Sequence, residues 1–224
     1  MIDNIPNYAN VIFILATAFS IFMIYKAAGY SKKTLFIVIG WAIVQGLLGW
    51  SQFYLKLDTV PPRLPFTFFS TFALILVLFN TSKGRTFIDS LDLKTLTWLH
   101  IVRIPVEFCL LWLFIATSIP QIMTFEGANF DIIAGLTAPL MVYLYFNRKN
   151  ISAKKMLVWN VVCLLLLINI VVIALLCALM PIQQLAFDQP NIGVLYFPFV
   201  WLPSVIVPIV MFSHFVAIRR LRKG

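Results

Sequence analysis

The sequence predicts an all-α, polytopic membrane protein with seven transmembrane helices. Hydrophobic residues make up 62% of its 224 residues and charged residues 11%, and the mean hydropathy is +0.97. A soluble domain has about 45–50% apolar and about 25% charged residues, so these figures exclude a water-soluble enzyme, and they exclude a disordered chain as well. No long polar stretch separates the apolar runs, and we therefore expect a single domain over residues 1–224.

Seven apolar runs approach or exceed the length of about 20 residues that a helix needs to cross a bilayer. Charged and turn-forming residues bound each run. The first run follows Asp3 and no basic residue, so we expect a retained helix rather than a cleaved secretion signal. The runs lie at residues 8–25, 35–54, 64–79, 96–119, 130–146, 156–180 and 192–218.

The distribution of charge predicts the orientation of the chain. Fourteen of the 17 basic residues fall within segments 26–33, 83–94, 148–155 and 219–223, which follow alternate runs. By the positive-inside rule the C-terminus is cytoplasmic and the N-terminus is outside. The net charge of +9 then indicates contact with anionic lipid at the cytoplasmic rim and no nucleic-acid partner. Five acids are expected on the outer side: Asp3, Asp58, Glu126, Asp131 and Asp188.

Local features recur between the two halves of the chain. The pairs Lys32-Lys33 and Lys154-Lys155 precede the second and sixth runs, which is compatible with a 3+1+3 arrangement of helices. Parallel repeats of this kind occur in transporters, and the layout resembles that of the SWEET and PQ-loop sugar transporters. The register drifts between the halves and no Pro-Gln motif lies in a run, so coincidence remains the alternative.

The fourth run carries three ionisable residues, His100, Arg103 and Glu107, on one stripe of a helix. Arg103 and Glu107 have i, i+4 spacing and are expected to form an ion pair. Ionisable groups inside a bilayer are costly and mark functional sites, although a purely structural pair is the alternative. We predict a ligand- or ion-binding site here, with Gln45 of the second run beside it. Glu107 is the expected proton or cation carrier, and Arg103 its partner or an anion clamp.

The two histidines of the chain, His100 and His214, are expected at similar depth near the cytoplasmic side. Two opposed imidazoles could ligate a b-type haem, although structural histidines are the alternative. No third metal ligand lies nearby, so we predict no metal site, and the sequence identifies no cofactor. Pro198, Pro203 and Pro208 interrupt the seventh run, and transporter sites are often built on such broken helices.

Charged residues expected at the outer end form a candidate vestibule that would concentrate cations. They are Arg63, Glu126, Asp131 and Asp188. Capping of a helix N-terminus is the alternative role for Asp131.

Familiar catalytic motifs are absent from the sequence, including HExxH, GxSxG, the Walker lysine loop and GxGxxG. We therefore expect a membrane protein that binds or translocates a small solute, a lipid or an ion. One alternative is a membrane-embedded enzyme that acts on a lipid with Glu107 and His100 as acid and base. A structural or assembly subunit and a b-type haem protein are the others, and whether the protein is an enzyme stays open.

Segments 96–114 and 198–213, together with Phe125-Glu126-Gly127, resemble an uncharacterised family of bacterial seven-helix inner-membrane proteins. The resemblance spans most of the chain. It implies a multi-pass protein of the bacterial inner membrane and brings no activity with it.

Overall fold

The structure, a computed structural model, describes residue 2 and residues 5–56 and 63–223. Within these residues the chain is helical and has no strand, which confirms the all-α prediction for this part. Apart from single 3-10 turns, these residues form eight helices: α1 (Asn7–Ala27), α2 (Lys32–Trp50), α3 (Pro65–Asn80), α4 (Ser82–Ser90), α5 (Leu93–Ile115), α6 (Ile132–Asn147), α7 (Ala153–Leu176) and α8 (Leu202–Lys223).

Five of these helices, α1, α2, α5, α7 and α8, are long and apolar enough to cross a membrane. Helices α3 and α4 meet the same criterion as a pair but are bent by 95° at the break between them. Helix α6 is apolar but shorter than these five helices. Each of the seven predicted runs therefore contains a helix, whereas α4 was not predicted.

The seventh run is helical over a shorter stretch than predicted. The run was expected to begin at residue 192, but α8 begins at Leu202 with a π-helical turn. Pro198 and Pro203 explain the late start, because proline has no amide donor and restricts the residue before it. Of the three predicted interruptions, Pro198 lies before α8, Pro203 lies in its first turn and Pro208 lies one turn further on.

The basic segments meet at one end of the molecule. The Asp92 amide donates to the Ala27 carbonyl at 2.9 Å, and Lys94 Nζ donates to Asn147 Oδ1 at 2.8 Å. The end of α8 joins them through an ion pair with α4. This grouping confirms that the positive charge is segregated, as the sequence predicts. Two of the acids expected at the other end lie outside the described residues: Asp3 and Asp58.

Helices α5 and α8 lie at the centre of the bundle, where 50% and 61% of their apolar stretches are buried. The start of α8 is tied to two neighbours through one carbonyl. Pro208 cannot donate to the Ser204 carbonyl four residues earlier. Trp41 Nε1 of α2 and Thr71 Oγ1 of α3 donate to that carbonyl instead, at 2.9 and 3.3 Å. The broken helix is thereby fixed against α2 and α3.

Candidate functional site

Helix α5 carries the three predicted ionisable residues into the centre of the bundle. It begins after Asp92, whose carboxylate accepts from the first-turn amides, and it tightens to a 3-10 turn over His100–Val102. Pro105 leaves the carbonyl four residues earlier without its helical donor, which favours this local change. His100, Arg103 and Glu107 are all buried, with exposed fractions of 1%, 3% and 2%.

The ion-pair partner of Arg103 is Asp131. Arg103 Nη1 lies 2.8 Å from Asp131 Oδ1 and 3.3 Å from the Cys163 carbonyl, and Nη2 lies 2.8 Å from His214 Nε2. Among the described residues Arg103 forms no ion pair with Glu107, so the pairing predicted from i, i+4 spacing is wrong. The guanidinium instead contacts acceptors on three other elements: the start of α6, α7 and α8.

Asp131 is buried between helices rather than placed in an outer vestibule. It stands at the start of α6, but its side chain makes no capping hydrogen bond and accepts from Arg103. Gly135, one turn further on, allows this approach. A Cβ atom there would lie 2.9 Å from Ile104 Cγ1 and 3.2 Å from the His100 carbonyl oxygen. Both roles predicted for Asp131 are therefore corrected.

The protonation of His214 follows from its partners. An arginine side chain is always a donor, so His214 Nε2 accepts from Arg103. His214 Nδ1 then carries the proton and donates to Asn160 Oδ1 at 3.0 Å. Asn160 in turn donates through Nδ2 to the Met156 carbonyl at 3.0 Å. These contacts define a neutral imidazole that extends the hydrogen-bond network from α8 to α7.

His100 stacks on His214 with ring centroids 4.1 Å apart and an angle of 17° between the planes. Its Nε2 lies 3.2 Å from Ser213 Oγ, whose own proton goes to the Val210 carbonyl. His100 Nε2 is therefore the donor, which leaves Nδ1 as a buried acceptor without a partner in the described part of the chain. The two histidines, which the sequence places at similar depth, are therefore in direct contact.

The stacked rings do not fit a b-type haem. Axial histidines point one nitrogen each at an iron that lies between them, whereas these imidazoles meet face to face and leave no space for a porphyrin. In the residues that the structure describes, no group of three or more His, Cys, Asp and Glu side chains is arranged to hold a metal ion.

Glu107 is held by an asparagine that sequence reasoning missed. Asn129 Nδ2 lies 2.7 Å from each Glu107 carboxylate oxygen and 3.0 Å from the Met123 carbonyl. Asn129 Oδ1 accepts from the Asp131 amide at 3.1 Å, so one amide side chain links the two acids. Asn129 and Asn160 are both buried, and the available signal was a neutral polar residue within or beside an apolar run.

A cavity of about 110 Å³ adjoins Glu107 and Asp131. Its other polar walls include Thr67 and Asn191, and the Asn191 Oδ1 atom is buried without a hydrogen-bond partner among the described residues. Pro203 at the start of α8 also lines it, so this cavity lies against the broken helix. Most of the remaining wall is apolar and comes from α3, α5, α7 and α8.

Four of the predicted binding residues do not line this cavity: Gln45, His100, Arg103 and His214. His100 packs on His214 and Ser213 rather than lining it, so the acid and base pair expected for a lipid enzyme is not assembled with Glu107. Gln45 is buried elsewhere, where its Oε1 accepts from the Tyr54 hydroxyl at 2.6 Å. Its predicted place beside Arg103 and Glu107 is corrected.

The remaining outer residues do not form one cluster with Asp131. Glu126 and Asp188 are exposed. Arg63 Nη1 donates to the Phe53 carbonyl at 3.2 Å, and its guanidinium lies 4.2 Å from the centroid of the Phe53 ring. Arg63 is therefore held by Phe53 in this structure.

The protein is therefore all-helical in its described part and has several apolar helices of membrane-spanning length around a buried ionic cluster of Arg103, Glu107 and Asp131. Residues 62–222 match the model of a family described as a domain of unknown function (DUF8737), which covers well over half of the chain. The chain belongs to this family, and the match includes every residue of the ionic cluster. No curated protein and no solved structure matches the chain.

Proposed function

We propose that this chain is an integral protein of a bacterial inner membrane with seven spans, an outer N-terminus and a cytoplasmic C-terminus. Helices α1, α2, α5, α7 and α8 supply five spans, and α3 and α6 supply the others. Helix α3 has 16 residues and a length of about 24 Å, which modest thinning of the bilayer accommodates. Helix α4, at 95° to α3, then lies along the cytoplasmic surface.

The segregated charges support this orientation. The basic segments share one end of the bundle, and the acidic loops share the other. Gln189 Nε2 donates to the Ile119 carbonyl at 2.6 Å, which joins the loop that carries Asp188 to the loop that carries Glu126. A reporter that is active only outside the cytoplasm, fused after residue 126, is expected to be active, and the same reporter at the C-terminus inactive. The reverse pattern would contradict the orientation.

For a protein with this membrane topology, the function that the geometry supports best is the binding or translocation of a proton or small cationic solute at Glu107. One observation carries it: two buried carboxylates, Glu107 and Asp131, lie beside a cavity, and the nearby buried guanidinium of Arg103 pairs with Asp131 alone. With all three groups ionised the cluster has a net charge of −1. An uncompensated charge in an apolar interior is costly, so the cluster favours uptake of a proton or a cation.

The hydrogen bonds distribute the roles within the cluster. Arg103 is committed to Asp131, His214 and a backbone carbonyl and does not line the cavity, so it serves as an anchor and not as an anion clamp. Glu107 accepts hydrogen bonds from Asn129, is not paired with Arg103 and lines the cavity. Glu107 is therefore the group that can exchange a proton for a cation. The unpartnered Asn191 Oδ1 adds a neutral acceptor to the same wall.

Flux measurements in liposomes test this function. Purified protein is reconstituted with an internal pH-sensitive dye, and an inward gradient of protons or of methylammonium is imposed. Wild-type protein is expected to carry one of the two, and Glu107→Gln is expected to lower that flux by about tenfold or more. Glu126→Gln makes the same chemical change at an exposed carboxylate in the loop between α5 and α6, and it serves as the matched control.

Two results would contradict the proposal. One is wild-type flux in Glu107→Gln protein that melts at the wild-type temperature. The other is a wild-type protein that neither carries protons or methylammonium nor is stabilised against heat by methylammonium. That second outcome would favour the structural or assembly alternative, in which the cluster fastens helices together and does nothing more.

A further inference from the structure

A groove runs between α2 and α3 from the basic end of the molecule toward its middle. It consists of two adjoining cavities of about 470 Å³ and about 500 Å³, whose walls share five residues: Ile37, Val38, Thr71, Leu74 and Ile209. The groove exists because α2 and α3 both pack against the start of α8, which forms its floor. It is separate from the cavity beside Glu107, and the two have no lining residue in common.

The two ends of this groove differ in chemistry. At the basic end the walls include the exposed side chains of Lys33 and Lys83, with the hydroxyl groups of Ser31 and Thr81 beside them. The inner part is mostly apolar and extends along α2 past Trp41 to Val44. No acidic residue occurs among the residues that line either part.

The bend between α3 and α4 places Lys83 at the mouth of the groove. Thr81 Oγ1 donates to the Val77 carbonyl and accepts from the Gly84 amide, which fixes the turn between the helices. Gly84 then packs directly on the end of α3, where a Cβ atom would collide with the Leu78 carbonyl oxygen. Any larger residue would push α4, and Lys83 with it, away from α2.

We propose that this groove binds one anionic phospholipid of the cytoplasmic leaflet. Its phosphate lies between Lys33 and Lys83, and an acyl chain follows the apolar walls toward Trp41. Charge complementarity selects this occupant, because two cations and no acid line the mouth while the inner walls are mostly apolar. A zwitterionic lipid would place its own ammonium beside these lysines and is disfavoured. The proposal rests on the proposed membrane embedding, but it is independent of the cation site at Glu107.

Native mass spectrometry of the delipidated full-length protein tests the site with dioleoyl phosphatidylglycerol and dioleoyl phosphatidylcholine as probes. Wild-type protein is expected to retain one phosphatidylglycerol in preference to phosphatidylcholine. The double variant Lys33→Ala/Lys83→Ala is expected to bind phosphatidylglycerol roughly tenfold more weakly than Lys32→Ala/Lys154→Ala. The latter control removes the same charge from basic segments at the same end of the molecule but outside the groove.

A second variant tests the acyl-chain part of the groove. Gly40 lines the inner cavity, and a Cβ atom there would have no heavy atom within 4 Å, so Gly40→Leu fills open space. This variant is expected to weaken dioleoyl phosphatidylglycerol and to leave short-chain dihexanoyl phosphatidylglycerol unchanged.

Three results would overturn the lipid site. They are equal affinity of the two double variants for phosphatidylglycerol, equal affinity of wild-type protein for both lipids, and displacement of the lipid by inorganic phosphate alone at matched concentration. Because no flux is measured, failure here leaves the proposal for Glu107 standing, and failure of that proposal leaves this one standing.

Discussion

Arg103 and Asp131 stand 28 residues apart in the chain, yet Arg103 Nη1 and Asp131 Oδ1 are 2.8 Å apart in the interior of the bundle. Their side chains are only 3% and 7% exposed. Each member of such a pair is costly to bury alone, so the pair fixes how α5 and α6 approach each other. It also leaves Glu107, the neighbour that sequence spacing favours, without the guanidinium as its hydrogen-bond donor.

A double-mutant cycle tests which acid is coupled to Arg103. Arg103→Gln and Asp131→Asn are expected to show a coupling energy of about 1–3 kcal/mol, because each single change strands a buried charged partner. The parallel cycle of Arg103→Gln with Glu107→Gln is expected to give less than half of that value. The free energy of unfolding is measured by SDS titration from mixed micelles. A larger coupling with Glu107 would restore the pair predicted from the sequence.

Gly135→Ala tests the close contact that brings Asp131 to Arg103. The added Cβ atom would lie 2.9 Å from Ile104 Cγ1, so α6 must shift away from α5. We expect the free energy of unfolding to fall by about 1–3 kcal/mol, as for other overpacked interiors. Gly40→Ala is the control, because its Cβ atom would meet no heavy atom within 4 Å and removal of a helical glycine stabilises a helix. Equal effects of the two changes would contradict this packing.

The carbonyl of Ser204 offers a test of how the broken helix is held. Trp41→Phe removes the indole donor and is expected to lower the free energy of unfolding by about 1–2 kcal/mol. Pro208→Ala restores an amide four residues after Ser204, and in that background the same Trp41→Phe change is expected to cost less. Thermal unfolding of the four proteins in one detergent measures the difference. An undiminished cost would show that Trp41 acts through packing alone.

The end of α8 is expected to respond to acid through Asp89. Hydrogen bonds from Arg219 and Lys223 to the carboxylate lower the pKa of Asp89 from 3.8 to about 2. Because its pKa is lowered in the folded state, ionised Asp89 stabilises the fold at pH values above its ordinary pKa. This stabilisation is lost as the pH falls through about 2. We expect wild-type protein to protect the last turn of α8 from hydrogen exchange better than Asp89→Asn at pH 5, with the difference disappearing near pH 2.

Asp188→Asn provides the control for this comparison, since Asp188 is an exposed acid at the opposite end of the molecule. It is expected to leave the exchange of the last turn of α8 unchanged at every pH. A pH-independent difference between wild-type and Asp89→Asn protein would show that the ion pairs with Asp89 do not hold the end of α8.

Some features of the candidate site could be predicted from the sequence, and others could not. The stripe of His100, Arg103 and Glu107 was predictable because helical periodicity and cost of burial both act within one helix. Their hydrogen-bond partners could not be predicted, because Asp131, Asn129 and Asn160 lie in other segments of the chain. Spacing along one helix does not define how those segments are rotated against it. A neutral asparagine also gives a weaker signal in a sequence than a charge does, although here it completes the network.

The helical class, the segregation of positive charge to one end and the burial of three ionisable residues on α5 could be predicted from the sequence. These properties follow from composition and from periodicity along single helices, which are local. The pairing of Arg103 with Asp131, the stacking of the two histidines and the position of Glu107 beside a cavity at the start of α8 became visible only in the three-dimensional structure. Such contacts depend on how helices rotate and cross, and side-chain packing between helices sets both.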